Sequence, residues 1–209
     1  MVKSGANPWE SWYQKKENVI EPEVFEVEKL LKKGAKVLDV GCGTGRHAVY
    51  LAGRGFEVHA FDMDKAAVET TEKAVKDAGF NADITVHDVT NPLPYDSGYF
   101  DLILSTRVLG HFVIADIRKI FKELDRVLKS GGIIFIQVPG EEYEQDQNTQ
   151  GYSITEPGTR VPLEGPEKGV PHHHYTDEEI NELLPWYKII NRHQKTEHYH
   201  GLCLVAKKP

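Results

Sequence analysis

The chain has 209 residues, 40% apolar and 27% charged, which suits one domain with a full core in an ordinary globular protein. A formal net charge of −7, with no Lys/Arg cluster, argues against a nucleic-acid backbone as partner, because phosphate binding needs a positive surplus or a basic stripe. No apolar run approaches the ~18–20 residues of a membrane span, and the opening segment lacks the apolar core of a signal peptide. The two cysteines, Cys42 and Cys203, lie far apart without metal-type spacing, so a reducing, cytoplasmic setting without disulfides is expected.

Residues 1–21 are polar but carry Trp9, Trp12 and Tyr13, so this arm is expected to dock on the domain as a staple or a lid, with Tyr13 a candidate for the substrate side. Pro22 opens a short helix with Val24, Val27, Leu30 and Leu31 on one face, and Gly34 stops it. From Lys36 strands and helices alternate strictly. Val37–Val40 reads as a buried strand, Arg46–Arg54 as a helix and Phe56–Phe61 as a second strand. Asp64 caps a helix running to Ala78, and Ile84–His87 and Tyr99–Ser105 follow as strands. A long helix then carries Ile117, Ile120, Phe121, Leu124 and Leu128 at helical spacing, and Ser130-Gly131-Gly132 turns the chain into the strand Ile133–Val138. Residues 139–175 break the rhythm with prolines at 157, 162 and 166 among others and the acidic run Glu141–Asp146, and are read as a long functional loop or lid. Thr176-Asp177-Glu178-Glu179 is a capping box opening a last helix, and Tyr187–His193 and His198–Ala206 are spaced to pair as an antiparallel hairpin. The expected organisation is an arm and helix over residues 1–34 packed on a domain of residues 35–209. Its fold is α/β, a doubly wound, Rossmann-like parallel sheet covered on both faces.

The chemistry begins at the glycine turn Gly41-Cys42-Gly43-Thr44-Gly45. A dinucleotide fingerprint would put its third glycine at position 46, where Arg46 stands. Asp39 just before the turn is unhelpful to a pyrophosphate and useful to a ligand carrying an ammonium and a sulfonium. Asp62, ending the second strand, sits where a carboxylate grips both ribose hydroxyls, because Asp64 already serves as the helix cap. Met63 is placed to lie against an adenine face. At the end of the third strand, Asp88 can accept from an adenine amino group while the backbone N–H of Val89 donates to the ring. Three acids at the carboxyl ends of three successive strands point to one cationic nucleoside.

The stretch Val37–Val138 resembles the class I S-adenosylmethionine-dependent methyltransferases. The likeness rests on Leu38-Asp-Val-Gly-Cys-Gly-Thr-Gly-Arg46, Phe61-Asp-Met-Asp64, His87-Asp-Val89, Phe100-Asp-Leu-Ile-Leu-Ser105 and Leu128-Lys-Ser-Gly-Gly132. The single-domain layout, Arg46 and the closing Leu202-Cys-Leu-Val-Ala-Lys-Lys208 are similar to the tellurite-resistance-like and type 11 small-molecule methyltransferases. The resemblance implies a seven-stranded sheet in the order 3-2-1-4-5-7-6 with strand 7 antiparallel. It also implies S-adenosyl-L-methionine as cofactor, S-adenosyl-L-homocysteine as product and a small-molecule methyl acceptor. Asp39, Gly41, Cys42 and Gly43 would serve the methionine end, Asp62 and Met63 the nucleoside, Asp88 and Val89 the adenine, and Ser105, Thr106 and Arg107 the sulfonium region.

An acceptor that starts protonated also needs a base, for which His111, just past the fourth strand, is the candidate catalytic residue. Among the histidines of His172-His173-His174, His173 is the candidate for the acceptor pocket together with Tyr175; no metal site is expected, because no cysteine or carboxylate completes one at a recognisable spacing. A monomer or homodimer is expected. The alternatives are a non-catalytic S-adenosylmethionine-binding module and a nicotinamide-dependent oxidoreductase, the latter disfavoured by Asp39 and Arg46.

Overall fold

Strand β1 (Lys36–Val40) sets the layering: Leu38 and Val40 enter one apolar cluster and Val37 the other, so the strand is buried on both faces. The computed structural model describes residues 19–140, 151–195 and 200–209. The further strands of the main sheet are β2 (Glu57–Asp62), β3 (Asp83–Val86), β4 (Phe100–Thr106), β5 (Leu128–Val138), β9 (Lys188–Lys195) and β10 (His200–Lys207). A small sheet holds β6 (Tyr152–Glu156), β7 (Thr159–Pro162) and β8 (His172–His173). The helices are α1 (Pro22–Glu28), α2 (Arg46–Gly53), α3 (Lys65–Asp77), α4 (Ile114–Val127) and α5 (Asp177–Leu183), with a 3-10 turn at Leu109–His111.

The seven strands run in the order β3-β2-β1-β4-β5-β10-β9, which is the expected topology. β1 pairs parallel with β2 and β4, and β10 pairs antiparallel with both β5 and β9. On one face α4 and α5 bury Ile117, Ile120, Leu124 and Ile180 against Leu38, Val40 and Ile103. On the other, α1, α2 and α3 bury Val24, Val27, Leu51 and Val75 against Val37, Val58 and Leu102. The chain changes from the β2 side to the β4 side after β3, and this reversal opens a crevice above the carboxyl ends of β1 and β4.

Three local features differ from the sequence reading. The first helix stops at Glu28, and the next turns close by i+3 hydrogen bonds (Leu30 N–H to Val27, Leu31 N–H to Glu28). That tightening swings Leu30 out of the buried stripe to 56% exposure. The Ser130-Gly131-Gly132 turn lies within β5 as a bulge, across which the register jumps from Phe100↔Leu128 to Leu102↔Ile133. Within 139–175, the described part carries β6, β7 and β8, and a bridge between Gly140 and Tyr175 ties it to the end of β5.

Candidate active site

The glycine turn is held first by its backbone. Gly41 and Cys42 N–H both donate to Phe61 C=O at 2.9 Å, and Gly45 N–H donates to Cys42 C=O at 3.0 Å. Gly41 and Gly45 have φ of +70° and +84°; a Cβ on Gly41 would stand 2.3 Å from Val108 Cγ2 and one on Gly45 2.6 Å from Thr71 Cγ2. Glycine is required at both positions by conformation and by space. Thr71 Oγ1 donates to Gly43 C=O at 2.8 Å, anchoring the turn to α3.

Two acids brace this turn. Asp62 accepts from Gly43 N–H at 2.9 Å and from Asp64 N–H at 3.0 Å. Asp39 is buried to 2% exposure, and its Oδ2 has no hydrogen-bond partner among the described residues. Burial raises the pKa of both, so each carboxylate would be stabilised by a cation alongside it. Asp64 caps α3 through Ala66 N–H, which leaves Asp62 free of that duty.

A cavity of about 230 Å³ opens over the turn. Gly41, Cys42 and Gly43 form its floor, Asp62 and Met63 one side, and His87, Asp88 and Val89 the next. Thr106, Arg107 and Val108 line the side above β4. Asp88 Oδ1 accepts from the backbone N–H and the hydroxyl of Thr90, while Val89 is buried. Met63 is exposed, offering its side chain to the cavity mouth. The expected residues converge, with two qualifications: Ser105 is fully buried within β4 and Asp39 sits beneath the turn, so neither lines the open space.

Behind Arg46 and Arg107, which line the cavity, stands a less anticipated support. Glu21, preceding α1 and only 4% exposed, gathers three basic side chains: Arg46 Nη2 at 2.9 Å, Arg107 Nη2 at 3.2 Å and His47 Nε2 at 2.5 Å. Burial alone would raise its pKa, but the His47 contact and the Arg46 charge outweigh it and hold the carboxyl well below the usual range. Arg46 also donates to Thr106 Oγ1 at 3.1 Å. Arg107 has φ +63°, unusual for a residue with a side chain, with its N–H bonded to Gln137 C=O. Sequence reasoning missed Glu21, because a charge pairing across such separations leaves no local signature.

Opposite, His111, Phe112, Pro139, Glu167 and His172 close the cavity. His172 Nε2 lies 3.0 Å from Glu167 Oε2, and its ring meets that of His111 edge-on at 5.0 Å. Burial, then the neighbouring His172, pushes the His111 pKa down to about 4, so its imidazole is neutral near pH 7. His173 and Tyr175 do not reach the cavity. His173 is fully buried with Nδ1 at 2.8 Å from Thr159 Oγ1, and the Tyr175 hydroxyl donates to Leu109 C=O at 2.8 Å. Both are struts behind the wall, and the histidine that enters the site is His172. Tyr13 lies outside the described residues.

Residues 37–132 match the model of a methyltransferase domain family. The demethylmenaquinone methyltransferase of Bacillus subtilis (strain 168) is 35% identical over 105 residues, which is 49% of this chain and 44% of that protein. The chain thus spans less than half the length of the curated relatives it matches. Among solved structures, a SAM-dependent methyltransferase from Methanosarcina mazei shares the fold with a TM-score of 0.75 at 24% identity, over 90% of this chain and 98% of that one. The 1,6-didemethyltoxoflavin-N1-methyltransferase of Burkholderia thailandensis, solved with bound 1,6-didemethyltoxoflavin and S-adenosylhomocysteine, has a TM-score of 0.70 at 19% identity, over 95% of this chain and 81% of that one.

Proposed function

We propose that this chain, in which residues 37–132 form a class I S-adenosylmethionine-dependent methyltransferase domain, moves the methyl group of S-adenosylmethionine to a small-molecule acceptor. The observation that carries the proposal is the convergence of the glycine turn with Asp62, ending β2, and Asp88, just past β3, around one cavity, with Asp39 of β1 buried beneath the turn. The buried Oδ2 of Asp39, without a hydrogen-bond partner among the described residues, fits a cationic ligand and disfavours a diphosphate.

In this reading Asp39 and the turn Gly41–Gly43 hold the methionine end, and Asp62 holds the ribose. Met63, Asp88 and Val89 hold the adenine, and Thr106 and Arg107, with Ser105 behind them, flank the sulfonium region. The sulfonium supplies an already activated methyl group, displaced in line. The protein's part is therefore positioning and exclusion of water, effects able to lower a barrier by ~7–11 kcal/mol. His111, neutral and facing the cavity, is placed to take a proton from an oxygen or nitrogen acceptor, with His172 and Glu167 behind it. Glu167 and His172 come from the 139–175 segment, which we read as the cover of the acceptor side.

No helix among the described residues is long and apolar enough to cross a membrane. A cytoplasmic location and a monomeric or homodimeric state belong to the proposal. The test is formation of S-adenosylhomocysteine across a panel of phenolic, quinol and ring-nitrogen acceptors, with calorimetric binding of S-adenosylmethionine measured in parallel. Binding with turnover of a panel member supports the reading. Failure of S-adenosylmethionine to bind overturns it.

A further inference from the structure

A second cluster of ligating atoms lies outside the cavity. Glu23 of α1, His193 of β9 and Cys203 of β10 each present one ligand atom, and these atoms lie within 4.8 Å of one another. Cys203 and His193 are register partners across the antiparallel β9–β10 pair, which sends both side chains to the same face, and α1 lowers Glu23 onto them. The spacing of these residues along the chain gives no hint of the grouping.

The two glutamates at the start of α1 are treated differently. Glu21 is surrounded by Arg46, Arg107 and His47. Glu23, whose side chain is 5% exposed, has one basic neighbour among its ion-pair contacts in the described residues, His193 Nε2 at 2.7 Å from its Oε1, and its Oε2 has no hydrogen-bond partner there. Beside it is a thiol buried to 1% exposure, with Gln137 Nε2 at 3.4 Å from its Sγ. A buried carboxylate with an orphaned oxygen against a buried sulfur is costly unless a cation joins them.

We propose that Glu23, His193 and Cys203 bind a zinc-type divalent cation. Thiolate, imidazole and carboxylate together suit Zn²⁺ and disfavour Mg²⁺ or Ca²⁺, which take oxygen sets. Ligands at zinc-bond lengths sit roughly 3.3–3.6 Å apart in a tetrahedron, so separations of up to 4.8 Å would close and the 2.7 Å His193–Glu23 contact would open to admit the ion, adjustments within reach of side-chain rotation. On binding, the Cys203 S–H bond is replaced by a sulfur–metal bond and the proton leaves to solvent. His193 is partly exposed, which leaves an entry path and a fourth position for water. The ion would clamp α1 to the terminal hairpin. Through Gln137, whose carbonyl accepts from Arg107 N–H, it would also back one wall of the cavity. This inference stands independently of methyl transfer.

The experiment strips the full-length protein with a chelator and titrates it with Co²⁺, then with Zn²⁺ against a chromophoric competitor. The expected result is a thiolate-to-cobalt charge-transfer band saturating at about one equivalent, and a zinc-dependent rise in melting temperature. Cys203→Ser abolishes the band. His193→Gln, at a partly exposed position on an edge strand, lowers zinc affinity at least tenfold with the metal-free melting curve unchanged. Absence of a cobalt–sulfur band in the wild type overturns the site. Equal zinc affinity in wild type and His193→Gln also overturns it, assigning the metal to the histidine run at 172–174 instead.

Discussion

Gly41 and Asp62 show how much a single residue carries in this site. An L side chain at Gly41 would have to hold φ +70° and displace Val108, so Gly41→Ala is expected to cost ~1–3 kcal/mol in stability, read by denaturant unfolding. Asp62 braces the turn through Gly43 N–H and, in the proposed reading, grips the ribose. Asp62→Ala is expected to weaken S-adenosylmethionine binding by ~1–3 kcal/mol in calorimetry, and unchanged affinity would remove the ribose role. His111→Gln tests the base. Because His111 titrates near 4, it is already neutral above pH 6, so wild-type turnover attributed to it is expected to stay flat from pH 6 to 8. The variant is expected to lose turnover with S-adenosylmethionine binding intact. Asp39, Asp62 and Asp88 were legible in sequence because each lies at or near the carboxyl end of a strand that the strand–helix alternation marks. Glu21 and His172 were not, because nothing local marks which of many charged or imidazole groups will be folded inward.

At the scale of elements, the capping box of α5 was readable and is present: Thr176 Oγ1 accepts from Glu179 N–H, and Glu179 Oε2 accepts from Thr176 N–H. Thr176→Ala is expected to cost ~0.5–2 kcal/mol by chemical denaturation. This helix docks through Ile180 and Leu184 just past the segment that supplies His172, so the same variant tests whether the acceptor wall depends on it. The three-stranded sheet β6-β7-β8 was not readable, since its strands are short and β8 has only two residues. Their pairing is decided by the partner strand, not by an alternating pattern of their own. If segment 139–175 covers the acceptor side, its protease sensitivity is expected to fall when donor and acceptor are both bound. Equal resistance in the free protein would assign it a static role.

For the molecule as a whole, acid is the revealing variable. The Glu21 pKa is depressed, so its contribution to stability is present above the unfolded carboxylate value near 4.5 and is lost as pH falls below it. His111 and His174 are both pushed down to about 4, chiefly by burial, from an ordinary value of 6.5. At these two histidines the unfolded chain binds more protons than the folded one between pH 6.5 and 4, so their contribution to stability is expected to fall across that window, opposed by Asp39 and Asp62, whose raised pKa values favour the folded chain as pH falls. The fall of the urea midpoint between pH 6.5 and 4.5 is expected to be smaller in His111→Gln than in the wild type, and an equal fall in the two would refute the burial of His111. Sequence alone settled what local pattern can encode: the strand–helix alternation that dictates a doubly wound sheet, the glycine turn and the acids at three strand ends. Only the tertiary structure decided the opposite wall and the second cluster. Glu21 with Arg46 and Arg107, Glu167 with His172 behind His111, and Glu23 with His193 and Cys203 are each drawn from distant segments. Crossovers and an edge hairpin bring them together, and no periodicity records such a meeting.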